Sequence, residues 1–228
     1  IGVGMLLLAA LVVILGAISE HRGFDVLHFF KRLYADFYAN VGTELASIAI
    51  TVLIIDRLNQ HRAEQRQRTS LVLQMGSPDN GFAVEAVRIL TAQGWLNNGL
   101  LRGVNLSRAN LEGAHLQKVD LTGAHLALAN LHKTKLTGAN LSGAYLQGAN
   151  LEGATLCGAR LTGANLNDAN LRGVHFDAET LLGPDTILPD CTYWSPGTDM
   201  ERFTDPKHPD FWRSHNPNSP ACLLPNEN

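Results

Sequence analysis

Apolar residues in this chain follow different rules in successive stretches. Residues 1 to 18, IGVGMLLLAALVVILGAI, contain no charge at all. That is close to the about 20 apolar residues a bilayer-spanning helix needs. A signal peptide's apolar region is shorter, typically ~7–15 residues. Ala17-Ile18-Ser19 is moreover a poor cleavage site, so a transmembrane helix is the expectation. Ser19 to Phe37 is amphipathic: Phe24, Val26, Leu27, Phe29, Phe30, Leu33 and Phe37 alternate with Arg22, Asp25, Lys31, Arg32 and Asp36. Tyr34 and Tyr38 add the aromatic character of a membrane interface, and an interfacial helix is predicted. Tyr38 to Leu58 predicts a second span around the block Leu45 to Ile55, which completes a hairpin.

Asp56 to Arg68 continues the helix in polar form and carries Arg57, Arg62, Arg66 and Arg68. Basic residues just past a span favour the cytoplasmic side, and they can also touch anionic lipid. Ser77-Pro78-Asp79-Asn80 is a turn with capping residues, and a helix is predicted from about Gly81 to Gln93. It is apolar on one side through Phe82, Val84, Ala86, Val87, Ile89 and Leu90.

From Val104 to Ala178 leucine returns every fifth residue: Leu106, Leu111, Leu116, Leu121, Leu126, Leu131, Leu136, Leu141, Leu146, Leu151, Leu156, Leu161, Leu166 and Leu171, with Phe176 closing the series. Two positions before each stands a small residue, alanine in eleven of fifteen units. Two positions after it, nine of fifteen have glycine. A period of five fits neither helix nor strand. It predicts a coil whose sides are five residues long, with the leucine and the residue two before it pointing inward. Glycine after the leucine suits a corner of unusual φ/ψ.

The wording A-N-L-x-G resembles the pentapeptide-repeat family over this whole stretch. The segments GSPDNGFAVEAVRIL and LPDCTYWSPGTDMERFTDPKHPDFWR look like parts of its bacterial membrane-anchored members. The resemblance implies a mainly β fold, a right-handed quadrilateral β-helix of four pentapeptides per coil. Seventy-five residues then make about four coils, a rod on the order of 18 Å long. The expected domains are a transmembrane hairpin with interfacial and juxtamembrane helices (1–68), a linker and N-terminal capping helix (69–98), the β-helix (99–182), and a Pro/aromatic-rich C-terminal cap and tail (183–228). Helix and tail are expected to close the two ends of the rod, since an open edge invites aggregation. Tyr193, Trp194, Phe203, Phe211 and Trp212 predict order in the tail as far as Trp212. From Ser214 onward it reads as polar and mobile, or as wrapping a partner.

Twenty residues per coil stacks residue i on i+20. Asn110, Asn130, Asn150 and Asn170 then form one column, in which each amide can bond nearby backbone. Glu112, His132, Glu152 and Arg172 form a second. Asn105, His125, Tyr145 and Asn165 form a third, and His115, Lys135, Thr155 and His175 a fourth. The candidate interaction residues are Glu112, His132, Glu152, Arg172 and Tyr145. No column has a nucleophile beside a base or a metal-ligand spacing, so no catalytic residue, metal or other cofactor is expected. Cys157, Cys191 and Cys222 form no CxxC and fit a reducing compartment.

A net charge of −3 gives no bias toward nucleic acid. Some members of the family act as acidic DNA mimics that bind gyrase. Here Gly99 to Thr180 holds seven Lys/Arg and six Asp/Glu, a net +1, so that role is a distant third. The leading expectation is a non-enzymatic scaffold that presents the rod in the cytoplasm from the inner membrane. Its partners would be membrane lipid and a protein of a larger membrane complex or a second copy of the chain, with no small-molecule substrate. The alternative is an oligomeric channel or transport component in which Glu44, an acid inside the second span, lines the path. The chain opens on Ile1 rather than methionine, which leaves room for residues upstream.

Overall fold

A computed structural model describes residues 26–222, and the chain divides into two units, residues 1–63 and 64–228. The first predicted span lies outside the described residues, so the hairpin does too. The described chain opens with one helix, α1, Val26–Met75, of 50 residues and about 75 Å. The described part of the expected interfacial helix, the second span, the juxtamembrane stretch and the start of the expected linker are all part of it. The change from amphipathic to apolar to polar composition does not interrupt the backbone. Between residues 26 and 75 there is no proline and one glycine, Gly42. The helix stops only at Gly76-Ser77-Pro78, where proline's missing donor and fixed φ forbid continuation.

Among the described residues, this is the one helix long and apolar enough to cross a membrane. Leu45, Ile48, Ile50, Val52, Leu53, Ile54, Ile55 and Leu58 are all exposed on it. Its last turns belong with the second unit: Leu71 and Met75 are buried, and the Arg68 guanidinium lies 4.7 Å from the Trp95 ring. Leu71 and Met75 belong to the same buried core as Leu101 and Leu106.

The coil is built on a twenty-residue repeat. Parallel bridges join Asn105 to His125, Asn110 to Asn130, His115 to Lys135 and Asp120 to Asn140, one on each of four sides, and the series continues to Thr155–His175. Each bridge is a pair of hydrogen bonds. The His125 N–H donates to Val104 O at 2.8 Å and the Leu106 N–H donates to His125 O at 2.7 Å. The mainly β expectation needs one correction: among the described residues no extended strand forms, and each side contributes a single bridged residue. A corner every fifth residue leaves no room for a longer ladder. At nearly every corner the residue three after the leucine donates back to it, as Ala144 N–H does to Leu141 O at 3.0 Å, with Gly143 at φ 65°. A positive φ in the third place of a four-residue turn defines type II, which is why glycine recurs there. Arg108, Lys118, Leu128, Lys133 and Asp168 take the same left-handed conformation without being glycine.

Inside, the leucines from Leu106 to Leu166 are fully buried with their small partners beside them, and Leu171 nearly so. Thr134 takes one alanine place and satisfies its buried hydroxyl by donating to Leu111 O at 2.8 Å. The core begins earlier than the repeat wording does: Leu101, five before Leu106, is fully buried, and Gly103 forms the corner after it.

Helix α2, Asn80–Ala92, closes the N-terminal end. Asp79 caps it, its carboxylate accepting from the Phe82 N–H, and Ala83, Ala86, Val87 and Leu90 are buried. At the other end the coil outlasts the rhythm. Leu181 bridges Arg160 and Ile187 bridges Asn165, steps of 21 and 22 residues instead of 20. A one-turn helix, Glu201–Thr204, then crosses the last coil, burying Phe203 while Thr204 O accepts from the Gly173 N–H at 2.8 Å. Phe203 and Trp212 meet at 6.1 Å between ring centroids. The described part of the stretch from Ser214, residues 214–222, returns to the rod. Ser214 and Ser219 are buried, and both hydroxyls donate to Asp168, at 2.6 Å to its carboxylate and 2.9 Å to its carbonyl.

Candidate interaction surface

The corner geometry decides what each outward residue can do. The residue before each leucine sits in the bridge, so its side chain projects from a fixed ladder. In the asparagine column the Asn130 Nδ2 donates to Asn110 Oδ1 at 3.0 Å, Asn150 to Asn130 at 3.4 Å and Asn170 to Asn150 at 3.0 Å. Each oxygen also accepts from the backbone N–H two residues on, for example Arg172 N–H to Asn170 Oδ1 at 3.1 Å. This is the side-chain amide ladder of stacked strands combined with an Asx turn. Asn80 extends it from the cap, its Nδ2 donating to Asn110 O and, at 3.0 Å, to Glu112 O.

The second column forms in pairs. The Glu112 carboxylate lies 3.1 Å from His132 Nδ1, and Glu152 lies 4.0 Å from Arg172 Nε. The asparagines join in, Asn130 donating to Glu112 and Asn170 to Glu152, both at 3.3 Å. The hydrogen bond from His132, helped by Asn130 and the nearby Lys133 charge, holds the Glu112 carboxyl below the usual glutamate range. On the side after Val119, the Thr122 hydroxyl and N–H, with Arg102, likewise depress Asp120. Both pairs of the Glu112 column are open to solvent, where ion pairs contribute at most about 1 kcal/mol.

In the third column Tyr145 stacks on His125, ring centroids 4.7 Å apart and planes 17° from parallel. Tyr145 is 45% exposed. The structure thus brings Glu112 to His132 and Glu152 to Arg172, and keeps Tyr145 in its own column. Glu44 is elsewhere, exposed on α1. Sequence reasoning missed Asp168 and Asn80. Asp168 is a corner residue without glycine, and that departure from the repeat was its only signal. No described group of three His, Cys, Asp or Glu residues could hold a metal ion. In the coil no histidine ring bonds a hydroxyl or thiol. The three cysteines are free thiols.

One cleft of about 100 Å³ opens where the tail crosses the last coil. Ala169, Asn170 and Leu171 form its floor, and Phe211, Trp212 and Arg213 part of its wall.

The model for pentapeptide repeats matches residues 105–143 and 139–177, in eight copies. No curated protein matches the chain. Among solved structures, it is similar to a pentapeptide repeat protein from the cyanobacterium Cyanothece 51142, at 45% identity over 35% of this chain and 54% of the other, with a TM-score of 0.35. A pentapeptide repeat protein of the Arabidopsis thaliana thylakoid lumen is 34% identical over 40% of this chain and 65% of its own, with a TM-score of 0.29. One from Nostoc is 35% identical over 44% of this chain and 84% of its own, with a TM-score of 0.22. The chain spans less than two thirds of the first two, at 54% and 65%.

Proposed function

The chain belongs to the pentapeptide-repeat family, and from that premise we propose that it is a membrane-anchored, non-enzymatic scaffold whose coil offers flat columns of side chains to a protein partner. The observation that carries the reading is a contrast in packing. The coil is packed to its axis with leucine and alanine, whereas α1 leaves an apolar surface uncovered from Leu45 to Leu58. A helix apolar on every side belongs inside protein or lipid. Phe37 to Ile55 carries a single acid, Glu44. It is 19 residues long, about 28 Å of helix against roughly 30 Å of hydrocarbon. The arginines after it favour a cytoplasmic coil in the inner membrane. Docking centres on Tyr145 and the Glu112–His132 and Glu152–Arg172 pairs, the partner being a subunit of a membrane complex or another copy of this chain.

The test is fractionation of the expressed chain with a photo-crosslinking residue in place of Tyr145. Retention in carbonate-washed membranes is expected, together with a cross-linked product of one discrete mass. Ile48→Lys with Val52→Lys should move the chain to the soluble fraction. A wild-type chain that is soluble and never cross-links sinks the proposal.

A further inference from the structure

Apolar residues lie all round α1, but its polar ones do not. From Val41 to Ile55 the polar side chains are Thr43, Glu44, Ser47 and Thr51. Each helical residue advances about 100°, which places all four within an arc of roughly 100°. Ile54 and Leu58 continue that face, and Ala49 and Leu53 lie across the helix from it. All of them are exposed. Thr51 Oγ1 donates within the helix, to Ser47 O at 2.8 Å. Among the described residues, the Glu44 carboxyl and the Ser47 hydroxyl have no hydrogen-bond partner.

In a span from Phe37 to Ile55, Glu44 lies about 10 Å inside the nearer end. Hydrocarbon offers it no hydrogen bond, and an acid at that depth is costly alone. No cation of this chain reaches it. Arg32, the nearest on α1, is about 18 Å away along the axis. Arg22 precedes Val26 by at most about 14 Å of chain, against about 27 Å of helix from Val26 to Glu44. The expected first span, residues 1–18, has no polar side chain. It can cover the apolar arc but cannot satisfy the stripe.

We propose that this stripe is the face on which two copies of the chain pair within the membrane. The stripe is self-complementary, because Glu44 accepts and Ser47 donates. Two copies inserted in the same direction bring their stripes together at one depth. About a two-fold axis the contact is reciprocal, Glu44 of each copy accepting from the Ser47 hydroxyl of the other. The two positions differ by about 4.5 Å along the axis, within reach of a glutamate side chain. Pairing also doubles the columns offered to a partner, which raises avidity. This deepens the scaffold reading and rests on α1 lying in a membrane, which the carbonate wash tests by itself.

The experiment uses the full chain, first in the expressing membranes and then purified in phosphatidylcholine vesicles. A photo-crosslinking residue at Ile54 should give a product of twice the chain's mass, and one at Ala49 should not. Self-association is then followed by energy transfer between labelled chains as the lipid is increased. Glu44→Ala should weaken it about tenfold, the scale of two lost interhelical hydrogen bonds. Glu44→Gln keeps an acceptor in place and should stay within about threefold. Leu53→Ala, on the far face, should change nothing, which separates the stripe from general apolar packing. Several outcomes overturn the proposal: no dimer from Ile54, equal dimer from Ala49, or Glu44→Ala chains that associate as tightly as wild type. A product with the mass of a different protein overturns it too, as does ion flux that Glu44→Gln abolishes, since the stripe would then face water. A chain that fails these tests yet stays in carbonate-washed membranes loses the pairing and keeps the anchor. One that leaves the membrane loses both.

Discussion

Leu131 in the coil and Leu53 on α1 are the same side chain in opposite circumstances, 0% and 68% exposed. In the coil each leucine is covered by its own repeat: the alanine two places earlier is small enough to admit it, and the coils above and below seal it. On α1 the apolar residues lie all round the helix and find no cover among the described residues. A buried leucine contributes about 1.5–3 kcal/mol to folding, so the coil gains stability from every copy of its motif. The helix holds the same potential in reserve for whatever surrounds it. Exposed apolar surface on this scale marks contact with a membrane or a protein.

The sharpest way to break this contrast is to truncate one leucine in each unit. Leu131→Ala should cost the coil about 2–5 kcal/mol, since its neighbours are locked in stacked rungs and cannot collapse into the gap. Thermal unfolding should show a Tm lower by roughly 5–15 °C. Leu53→Ala should leave that transition within about 0.5 kcal/mol of wild type. Equal losses at both sites would show that α1 is covered by protein of the same chain.

A smaller effect separates shape from packing within the coil. An added methyl at Gly143 meets no atom within 4 Å, so Gly143→Ala tests the left-handed corner alone and should cost about 1–2 kcal/mol by denaturant titration. Leu128→Gly relieves the same strain but frees the unfolded chain, which costs roughly 0.5–1 kcal/mol, so its net gain should be under about 1 kcal/mol. A stabilising Gly143→Ala would contradict the corner geometry.

The smallest effect is electrostatic. Glu112 binds its proton less tightly in the folded chain than its ordinary value of 4.5 implies, chiefly through His132. Protonation therefore favours unfolding. The contribution is whole above that value and is lost as pH falls through the lowered one. Glu112→Gln should flatten the acid limb of a stability–pH curve slightly and leave neutral pH nearly unchanged. An identical acid limb in the variant would show that the pair adds nothing.

Much of this was legible in the chain because a strict period leaves few alternatives. The inward leucines come from five residues making a side, and the four sides to a coil that the family resemblance implies supply the twenty-residue stacking, the asparagine column and the Glu112–His132 pairing. The places that escaped are those where the wording lapses while the physics persists. Leu101 has glycine rather than alanine two places before it, yet packs as any other beat. Leu181 and Ile187 reach their rungs across loops one and two residues longer than the repeat, which no periodic reading anticipates. The continuity of α1 from Val26 to Met75 was hidden by changes in polarity that a helical backbone does not register. The closing of the Gly173 corner depends on where Thr204 lands, a contact between segments far apart in sequence.

The one-to-one stacking of i on i+20 also sets how this protein can change length. Removing residues 110–129 would take out one whole storey and leave each remaining column on its own face, the asparagines still beneath one another. Removing only five residues would turn everything beyond the cut by a quarter revolution, placing histidine and lysine over asparagine and scattering the charge pairs. Length in this molecule comes in units of a storey, and any alteration that respects the unit adds or subtracts height without redrawing the faces.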